Sequence, residues 1–501
     1  MTSLRHYTLG ETCPPSPHAV VSSLPTMADV RGYEERDPRV LDVLQSGYPR
    51  FVVHIFVREL IKFYLKQEKL GGRSAVLIPG RRAAQDLVDR VGEGVVTAKM
   101  DDAAYLVHFD ADDRDLNDRV HKFVQHTGCG ISSRQAEDLL WAHGLIESVH
   151  LETGFIGSAQ QAVERDLAEL IGCESKDVLV CASGMNAFYS GFRAVQAAQS
   201  AVGRTKWLQL GWLYLDSGCV LKEFLGGGES LDYCYDADDT EEILRRIESC
   251  GEELACVVIE CPTNPLVQVA DLPRIAKAVR AAGGILMIDP TVASIYNVEV
   301  LPYADILITS LTKYASFEGD VMIGAIALNP ESPRYGDLIL RTSSFYQPPY
   351  QRDLDRLAEQ MKAAPATVQC MGSNACRLAD YLKAHPAVKK VHYAGYAEHF
   401  SEVVKSSSFG GAVITIELVD GIDAFYDALE TMKGPSFGTR FTLVCPFMYL
   451  AHYDLVKSKE GRIFLQSIGI DPDLIRISVG TEAIEALEKV FADALSVVAK
   501  A

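Results

Sequence analysis

Residues 285–313 read ILMIDPTVASIYNVEVLPYADILITSLTK, and this stretch holds the pattern that decides the fold. An apolar run at 285–289 ends in Asp289, and a second run at 305–309 is followed shortly by Lys313. Such runs are typical of strands buried on both faces of a parallel sheet. Because the carboxyl ends of parallel strands meet at one edge, we expect the carboxylate and the amine to lie beyond neighbouring strand ends.

The same pattern of apolar strand, polar turn and amphipathic helix recurs between about 158 and 330, as in a parallel sheet that is covered by helices. The predicted strands are 177–182, 255–261, 285–289 and 305–309, and the predicted helices are 187–200, 241–249 and 271–282.

The flanking segments differ from this central part. Residues 1–25 are rich in Pro, Ser and Thr, which suits an arm that lies on another part of the protein. Residues 51–66 have helical spacing, 75–77 begin a strand, 350–385 form a long helical stretch, and 388–393, 411–418 and 474–479 alternate as strands do. We predict an N-terminal arm and extension at 1–135, a large α/β domain at 136–330 and a small α+β domain at 331–501.

The charge and the motifs that are missing exclude several classes of function. The 501 residues carry a net charge of -19 at pH 7, which would repel nucleic acids and anionic membranes. No apolar run approaches the roughly 18 residues that span a bilayer, and the start lacks a secretory pattern. The twelve cysteines form no CxxC pair and the histidines no HExxH, so we predict no metal site. A cytoplasmic protein whose partners are small molecules or other protein chains is expected.

Asp289 and Lys313 are the two side chains that pyridoxal 5'-phosphate (PLP) requires. A lysine holds this cofactor as an imine, and a carboxylate keeps the pyridine nitrogen protonated so that the ring can accept electrons. Either residue alone is ordinarily a cap or a surface group. Their combination favours PLP.

Other polar residues near predicted strand ends fit the same cofactor. Gly184 and Met185 lie between a strand and a helix, where free backbone N–H groups bind phosphate. Ser310 and Thr312 add hydroxyl donors beside the lysine. Tyr214 could lay its ring on the cofactor, although a core tyrosine is the ordinary reading of that residue.

The motif Ser310-Leu311-Thr312-Lys313-Tyr314 resembles the lysine motif of the Cys/Met-metabolism PLP-dependent family, which has the aspartate aminotransferase fold (fold type I). Gly184-Met185 resembles the phosphate loop of that family, and 260–265 its Asn-Pro turn. The N-terminal pieces 18–20, 24–26, 32–34 and 130–134 are most similar to the fungal cystathionine gamma-synthase-like branch. The resemblance implies a mostly parallel seven-stranded sheet flanked by helices, a smaller C-terminal α+β domain and an N-terminal extension.

The resemblance also implies roles for individual residues. Lys313 would be the catalytic lysine, and Tyr214 the stacking residue and proton carrier. The cofactor would be bound by Gly184, Met185, Tyr214, Asn264, Asp289, Ser310, Thr312, Lys313, Tyr48 and Arg50, and the substrate by Arg476, Ser436 and Asn264. A guanidinium matches a carboxylate through two parallel hydrogen bonds, although a surface salt bridge is the other reading of Arg476.

The pair Tyr48 and Arg50 resembles one that, in this family, reaches the phosphate of the neighbouring subunit. The resemblance therefore implies a homodimer as the minimal unit and a homotetramer as the usual assembly.

The sequence departs from the family directly after the lysine. Phe317 and Glu318 stand where a turn rich in Gly and Ser is usual, and Pro290 stands where Asn is usual. We expect a bulky ring and a carboxylate close to Lys313. These changes bear on the second substrate more than on the PLP chemistry.

The activity implied by the resemblance is γ-replacement on an O-acyl-L-homoserine through a vinylglycine-type electrophile, as in a cystathionine gamma-synthase transferase. The second small nucleophile would be the cysteine thiol or a carbon acid such as a β-keto acid, as in specialised metabolism. Two alternatives stay open, namely a lyase that releases a 2-oxo acid and a non-catalytic regulatory or scaffolding relative.

Overall fold

A computed structural model of the chain describes residues 4–45, 52–101, 104–226, 228–405 and 409–498. The N-terminal part consists of a three-stranded sheet with helices around it. Its elements are α1 (Met27–Glu34), α2 (Pro38–Leu41), α3 (Ile55–Gln67), β1 (Arg73–Ile78), α4 (Arg81–Val91), β2 (Val96–Asp101), β3 (Ala104–Asp110), α5 (Arg114–Thr127) and α6 (Ser133–Ala142). The sheet is antiparallel in the order β1-β3-β2.

The first segment of the chain lies on the C-terminal part, as its composition predicts. Val20 and Val21 are buried in one cluster with Met432. The Lys433 amine donates a hydrogen bond to the Pro25 carbonyl oxygen at 2.7 Å. Residues 17–25 are therefore a strap that is held by side chains about four hundred positions away.

The central part alternates helices and strands. Its elements are α7 (Ala159–Ile171), β4 (Val178–Cys181), α8 (Gly184–Ser200), β5 (Lys206–Leu210), α9 (Leu215–Phe224), β6 (Leu231–Cys234), α10 (Thr240–Cys250), β7 (Leu254–Glu260), α11 (Leu272–Ala282), β8 (Ile285–Asp289), β9 (Ile306–Ser310), β10 (Gly324–Leu328) and α12 (Tyr335–Ser343). Every residue of β7 is buried, as expected for a strand that is covered on both faces.

The seven strands have the order β4-β10-β9-β8-β7-β5-β6. Strand β10 is antiparallel to both of its neighbours, and the other pairs are parallel. The predicted seven-stranded, mostly parallel sheet is confirmed. The ends of β4, β7, β8 and β9 consequently meet at one edge.

The C-terminal part packs a five-stranded sheet against helices. Its elements are α13 (Gln351–Met361), α14 (Ala364–Lys383), β11 (Val388–Tyr393), β12 (Val413–Leu418), α15 (Ile422–Ala428), β13 (Met432–Lys433), β14 (Leu443–Pro446), α16 (Phe447–Ala451), α17 (Tyr453–Val456), α18 (Lys459–Ser467), β15 (Ile475–Ser478) and α19 (Ile484–Val498). The strand order is β11-β12-β15-β14-β13.

The helical stretch predicted at 350–385 is present as two helices, α13 and α14, which are separated by residues 362–363. Pro365 stands in the first turn of α14, where its missing N–H costs no intrahelical hydrogen bond. The helix predicted from 187 begins three residues earlier, at Gly184, because Ser183 caps it. Strands β5, β6 and β10 were not among the predicted elements. The domain boundaries at 135 and 330 stay predictions.

Within the described ranges, no helix is both long enough and apolar enough to cross a membrane.

Candidate active site

A cavity lies at the edge where the parallel strands of the central sheet end. Its empty volume is about 990 Å³, including the space at its mouth. The lining residues come from the strand ends, the start of α8 and the C-terminal part. They include Ser183, Gly184, Met185, Tyr214, Glu260, Asn264, Asp289, Ser310, Thr312, Lys313, Met322, Phe437, Phe447, Leu450 and Arg476. Nearly all the predicted site residues are thus brought together.

The Lys313 amine is buried beside the C-terminal part of the chain. The side chain is only 5% exposed, so it does not point into bulk water. Its Nζ donates to Ser436 Oγ at 2.8 Å and lies 5.0 Å from the centroid of the Phe437 ring. The lysine therefore stands between the sheet edge and the loop that contains Ser436.

Asp289 and Glu260 place two carboxyl groups at the same edge, because they are opposite each other in β8 and β7. Asp289 Oδ1 accepts hydrogen bonds from the backbone N–H and the hydroxyl of Thr291, the former at 2.9 Å. Burial raises the pKa of Asp289 to about 6. Burial and the neighbouring Asp289 charge raise the pKa of Glu260 well above its ordinary value. A cationic group beside Asp289 would counter this effect.

The start of α8 forms the third side of the site. Ser183 Oγ accepts from the Asn186 N–H at 3.0 Å and thereby caps the helix. The N–H groups of Gly184 and Met185 have no intrahelical acceptor at these positions. A Cβ on Gly184 would lie 2.8 Å from the Ser310 Cβ, so only glycine allows the helix start to approach β9 this closely. This leaves a polar cradle of the kind that binds phosphate.

Arg476 is held between two aromatic rings. Its Cζ lies 5.0 Å from the Phe437 centroid and 4.9 Å from that of Phe447. Its Nη1 donates to Asn264 Oδ1 at 3.2 Å, and its Nη2 donates to the Ser436 carbonyl oxygen at 3.3 Å. The side chain is 3% exposed, so the reading of Arg476 as a surface salt bridge is wrong.

Tyr214 precedes α9 and lines the cavity. Its backbone N–H donates to Glu260 Oε1 at 2.5 Å. The end of β7 thus fixes the point where the tyrosine enters the site.

The sequence profile of the Cys/Met metabolism PLP-dependent enzyme family matches residues 155–496. The chain is also 34% identical over 487 residues to the L-2-amino-4-chloropent-4-enoate dechlorinase/desaturase of Streptantibioticus cattleyicolor, with 96% of this chain and 97% of that relative covered. The chain belongs to the Cys/Met metabolism PLP-dependent enzyme family. Its cofactor is pyridoxal 5'-phosphate.

Fungal members of the family are similar over the same length. The cystathionine gamma-synthase of Neurospora crassa is 27% identical over 626 aligned positions, which cover 98% of each chain. Among solved structures, the cystathionine gamma synthase of Xanthomonas oryzae pv. oryzae, determined with aminoacrylate and cysteine, superposes with a TM-score of 0.58 at 22% identity. It covers 73% of this chain and 97% of its own and establishes PLP fold type I.

The residues present fit the family cofactor. Gly184, Met185, Ser310 and Thr312 would hold its phosphate, because they form the cradle beside the start of α8. Lys313 offers a buried amine, and the Oδ2 of Asp289 accepts no hydrogen bond from the described residues. The residues present therefore offer partners for the phosphate, the aldehyde carbon and the ring nitrogen of the cofactor.

Phe317 and Glu318 do not line the cavity, contrary to the expectation from their position after the lysine. Glu318 turns to Arg440, which it contacts at 3.0 Å, and the Phe317 carbonyl oxygen accepts from the Arg440 N–H at 2.8 Å. The Phe317 backbone and the Glu318 side chain thus both contact Arg440 in the C-terminal part. The two residues therefore do not indicate what the second substrate of this family member is.

Tyr48 and Arg50 lie outside the described residues, so their predicted contact with a neighbouring subunit stays a prediction.

Four functional side chains were not singled out from the sequence. They are Glu260, which lies beside Asp289; Thr291, which donates hydrogen bonds to Asp289; and Phe437 and Phe447, whose rings flank Arg476. Thr291 had a local signal, because an Asp followed two residues later by Thr is a common turn pattern. The two rings had none, because they reach Arg476 only through the folding of the C-terminal sheet.

Proposed function

We propose that this enzyme removes a leaving group from the γ carbon of a small L-α-amino acid. The observation that carries the proposal is that one residue, Ser436, contacts both cations of the cavity. Its Oγ accepts from Lys313 Nζ, and its carbonyl oxygen accepts from the Arg476 guanidinium. An α-amino acid has an amine and a carboxylate on one carbon, so it would reach both cations at once.

The roles of the residues derive from this placement. Bound PLP supplies an electron sink that lets a proton leave the carbon next to the substrate amine. Lys313 Nζ takes that proton and carries it to another atom of the substrate, because its amine is buried within the cavity. Asp289 would pair with the ring nitrogen, and Tyr214 would cover the ring.

Arg476 would orient the substrate through its carboxylate. The two rings and three backbone or amide acceptors hold the guanidinium plane in one orientation. A preorganised fork pairs with a carboxylate through two hydrogen bonds. The side chain of the substrate would then extend among Met322, Phe447 and Leu450.

Elimination is the first candidate for the overall reaction at the γ carbon. The full-length relative at 34% identity is named for a compound whose chlorine stands on its γ carbon. Lys313 and Arg476 are the cationic side chains among the described residues that line the cavity, so a second amino acid would find no separate carboxylate partner among them. A γ-eliminating lyase needs no such partner.

Replacement is the second candidate, and similarity to the cystathionine gamma-synthases supports it. An O-acyl-L-homoserine would lose its acyl group, and the cysteine thiol or a carbon nucleophile such as a β-keto acid would take its place. This activity would make the enzyme a transferase.

The test is product analysis with purified enzyme and PLP. Each substrate, L-2-amino-4-chloropent-4-enoate or O-acetyl-L-homoserine, is incubated alone and then with cysteine or a β-keto acid, and products are identified by mass spectrometry. Elimination predicts release of chloride or acetate without a nucleophile, and replacement predicts release only with one.

A Lys313→Ala variant is the matched control and should be inactive and lack the visible absorbance band. No release from either substrate by a yellow wild-type enzyme would contradict γ chemistry. A colourless wild-type protein would favour the non-catalytic alternative.

A cytoplasmic location and a homodimer or homotetramer are part of the proposal. Sedimentation of the PLP-bound protein tests the assembly, and a stable monomer with full activity would contradict it.

A further inference from the structure

Arg134 is a fully buried cation that the PLP chemistry does not use. Its side chain is 1% exposed, and it lies in the first turn of α6 in the N-terminal part. This part precedes residues 155–496, which match the family profile, so it is an addition to the common domain. A buried guanidinium is retained only where charge and hydrogen-bond partners surround it.

The partners of Arg134 come from three separate segments. Its Nε and Nη2 donate to the two carboxylate oxygens of Glu152 at 2.6 and 2.7 Å. Its Nη1 donates to Asp353 Oδ1 at 2.9 Å and to the carbonyl oxygen of Asp320 at 2.7 Å. These two carboxylates, together with the Asp320 carboxylate 3.7 Å from Nη2, surround its charge, and the contact with the Asp320 carbonyl holds the backbone of the segment after Lys313.

That segment is a closed loop from Leu311 to Ile323. The N–H groups of Leu311 and Thr312 both donate to the Ile323 carbonyl oxygen, at 2.9 and 3.2 Å. Lys313 and Met322 stand near its two ends, and both line the cavity. A shift of the loop would therefore move the amine and the cavity wall together.

The strap contacts the same loop at the adjacent position. The Val20 N–H donates to the Gly319 carbonyl oxygen at 2.9 Å, beside the Asp320 carbonyl that Arg134 holds. Two consecutive carbonyl oxygens of the loop thus accept donors from the N-terminal part. Gly319 has a φ of +78°, so this bend is one that other residues adopt only with strain.

We propose that Arg134 is a positioning residue. It would fix the position of Lys313 in the cavity by holding the 311–323 loop through the Asp320 carbonyl. The proposal rests on the proposed role of Lys313 and not on the identity of the substrate. Arginine suits this role because one planar group reaches two carboxylates and a carbonyl at fixed angles, which an ammonium cannot do.

Arg134→Lys is the main variant, because it retains the charge between Glu152 and Asp353 but loses the fork. Arg352→Met is the matched control. Arg352 belongs to the same ion network, where it contacts Glu137 and Asp138 and lies 3.5 Å from Glu152, the carboxylate that also accepts from Arg134. Its hydrogen bonds and ion pairs within the described residues do not include the 311–323 loop, so the control removes a neighbouring cation and leaves the loop contact in place. If Arg134→Lys does not fold, Asp353→Asn supplies the second test, because it weakens one anchor of the guanidinium while the arginine stays in place.

The first measurement is hydrogen–deuterium exchange of the cofactor-free protein. We expect amides of 314–322 to exchange at least about tenfold faster in Arg134→Lys and to stay within about twofold of wild type in Arg352→Met. Asp353→Asn should speed exchange of the same peptide by about threefold or more. The second measurement is the pH midpoint of the visible band after PLP is added, which should shift in Arg134→Lys and not in Arg352→Met.

Unchanged exchange of 314–322 in a folded Arg134→Lys protein would overturn the proposal. Equally faster exchange throughout the chain would also overturn it, because Arg134 would then be a general stabilising residue. Neither measurement uses a substrate. If the proposed γ chemistry is wrong, the exchange rates and the pH midpoint can still be measured. A failure of the proposed function is therefore distinguishable from a failure of the role of Arg134.

Discussion

Glu260 and Asp289 end neighbouring parallel strands at directly opposite positions, so two carboxyl groups share one wall of the cavity. Burial raises the pKa of both, and the charge of Asp289 further opposes ionisation of Glu260. Two adjacent carboxylates are unfavourable in a buried site unless a cation stands beside them. A protonated ring nitrogen would be such a cation, so we expect the pair both to bind the cofactor and to depend on it.

Asp289→Asn should therefore stabilise the cofactor-free protein in a way that depends on pH. The pKa of Asp289 rises from an ordinary 3.8 to about 6 on folding, so folded wild type loses stability as pH increases between those values. Asparagine keeps the contacts with Thr291 and has no charge to bury. Its free energy of unfolding should exceed that of wild type by on the order of 2 kcal/mol at pH 7. Urea denaturation at pH 4 and pH 7 measures the difference, and an equal difference at both would contradict the burial argument.

With PLP present, wild type should have the advantage over Asp289→Asn. Asparagine cannot keep the ring nitrogen protonated, so the variant should bind PLP more weakly and turn over at least about a hundredfold more slowly. Titration of the visible band gives the affinity. If the variant is as active as wild type, Asp289 does not have the proposed role toward the ring nitrogen.

Arg476→Lys should raise KM far more than it lowers kcat. Lysine keeps the charge but loses the two parallel donors and the stacking between Phe437 and Phe447, so we expect a KM about ten- to a hundredfold higher. PLP absorbance should be unchanged. The control is Arg440→Lys, since Arg440 pairs with Glu318 away from the cavity. Equal effects of the two substitutions would mean that Arg476 does not bind the carboxylate.

Ser436→Ala separates the two contacts that Ser436 makes. The substitution removes the hydroxyl that accepts from Lys313 Nζ but leaves the carbonyl oxygen that accepts from Arg476. The expected result is a kcat lower by about three- to tenfold with KM nearly unchanged, because one hydrogen bond to a charged group contributes about 1–3 kcal/mol at most. Steady-state kinetics measures both constants. A raised KM at wild-type kcat would indicate instead that the hydroxyl contacts the substrate.

Local sequence was sufficient to place Lys313 and Asp289 at one edge, because Asp289 ends one apolar run and Lys313 follows the next within a few residues. The signals for the cap at Ser183 and for Thr291 as a donor to Asp289 were equally local, although neither role was predicted. The same reasoning could not reveal β10, although its residues are all buried. Its five residues, Gly324 to Leu328, have no alternation, and its antiparallel place between β4 and β9 depends on tertiary pairing.

Contacts between distant segments explain the remaining differences. The rings around Arg476 come from segments that approach β15 only when the C-terminal sheet forms, so no spacing in the sequence signals them. Phe317 and Glu318 show the converse case. They are close to Lys313 along the chain, yet neither lines the cavity, and the Phe317 carbonyl oxygen and the Glu318 carboxylate both contact Arg440.

His126 should make the stability of the protein depend on pH on the alkaline side. Its Nδ1 lies 3.1 Å from Asp216 Oδ1, and its Nε2 lies 3.5 Å from Glu223 Oε1, so it joins α5 to the helix after Tyr214. Burial alone would lower its pKa, but these two carboxylates raise it to about 9. A raised pKa in the folded state stabilises the protein fully below the ordinary value of 6.5, and that contribution is lost as pH rises through 9.

His126→Gln retains the hydrogen-bonding shape without the titration. Wild type should therefore be more stable than this variant at pH 6 by about 1–3 kcal/mol, and most of that advantage should disappear by pH 10. Urea denaturation of the cofactor-free proteins at the two pH values isolates the effect from PLP. An advantage that is the same at both would show that His126 is neutral in the folded protein, and its link to the helix after Tyr214 would then be an uncharged hydrogen bond.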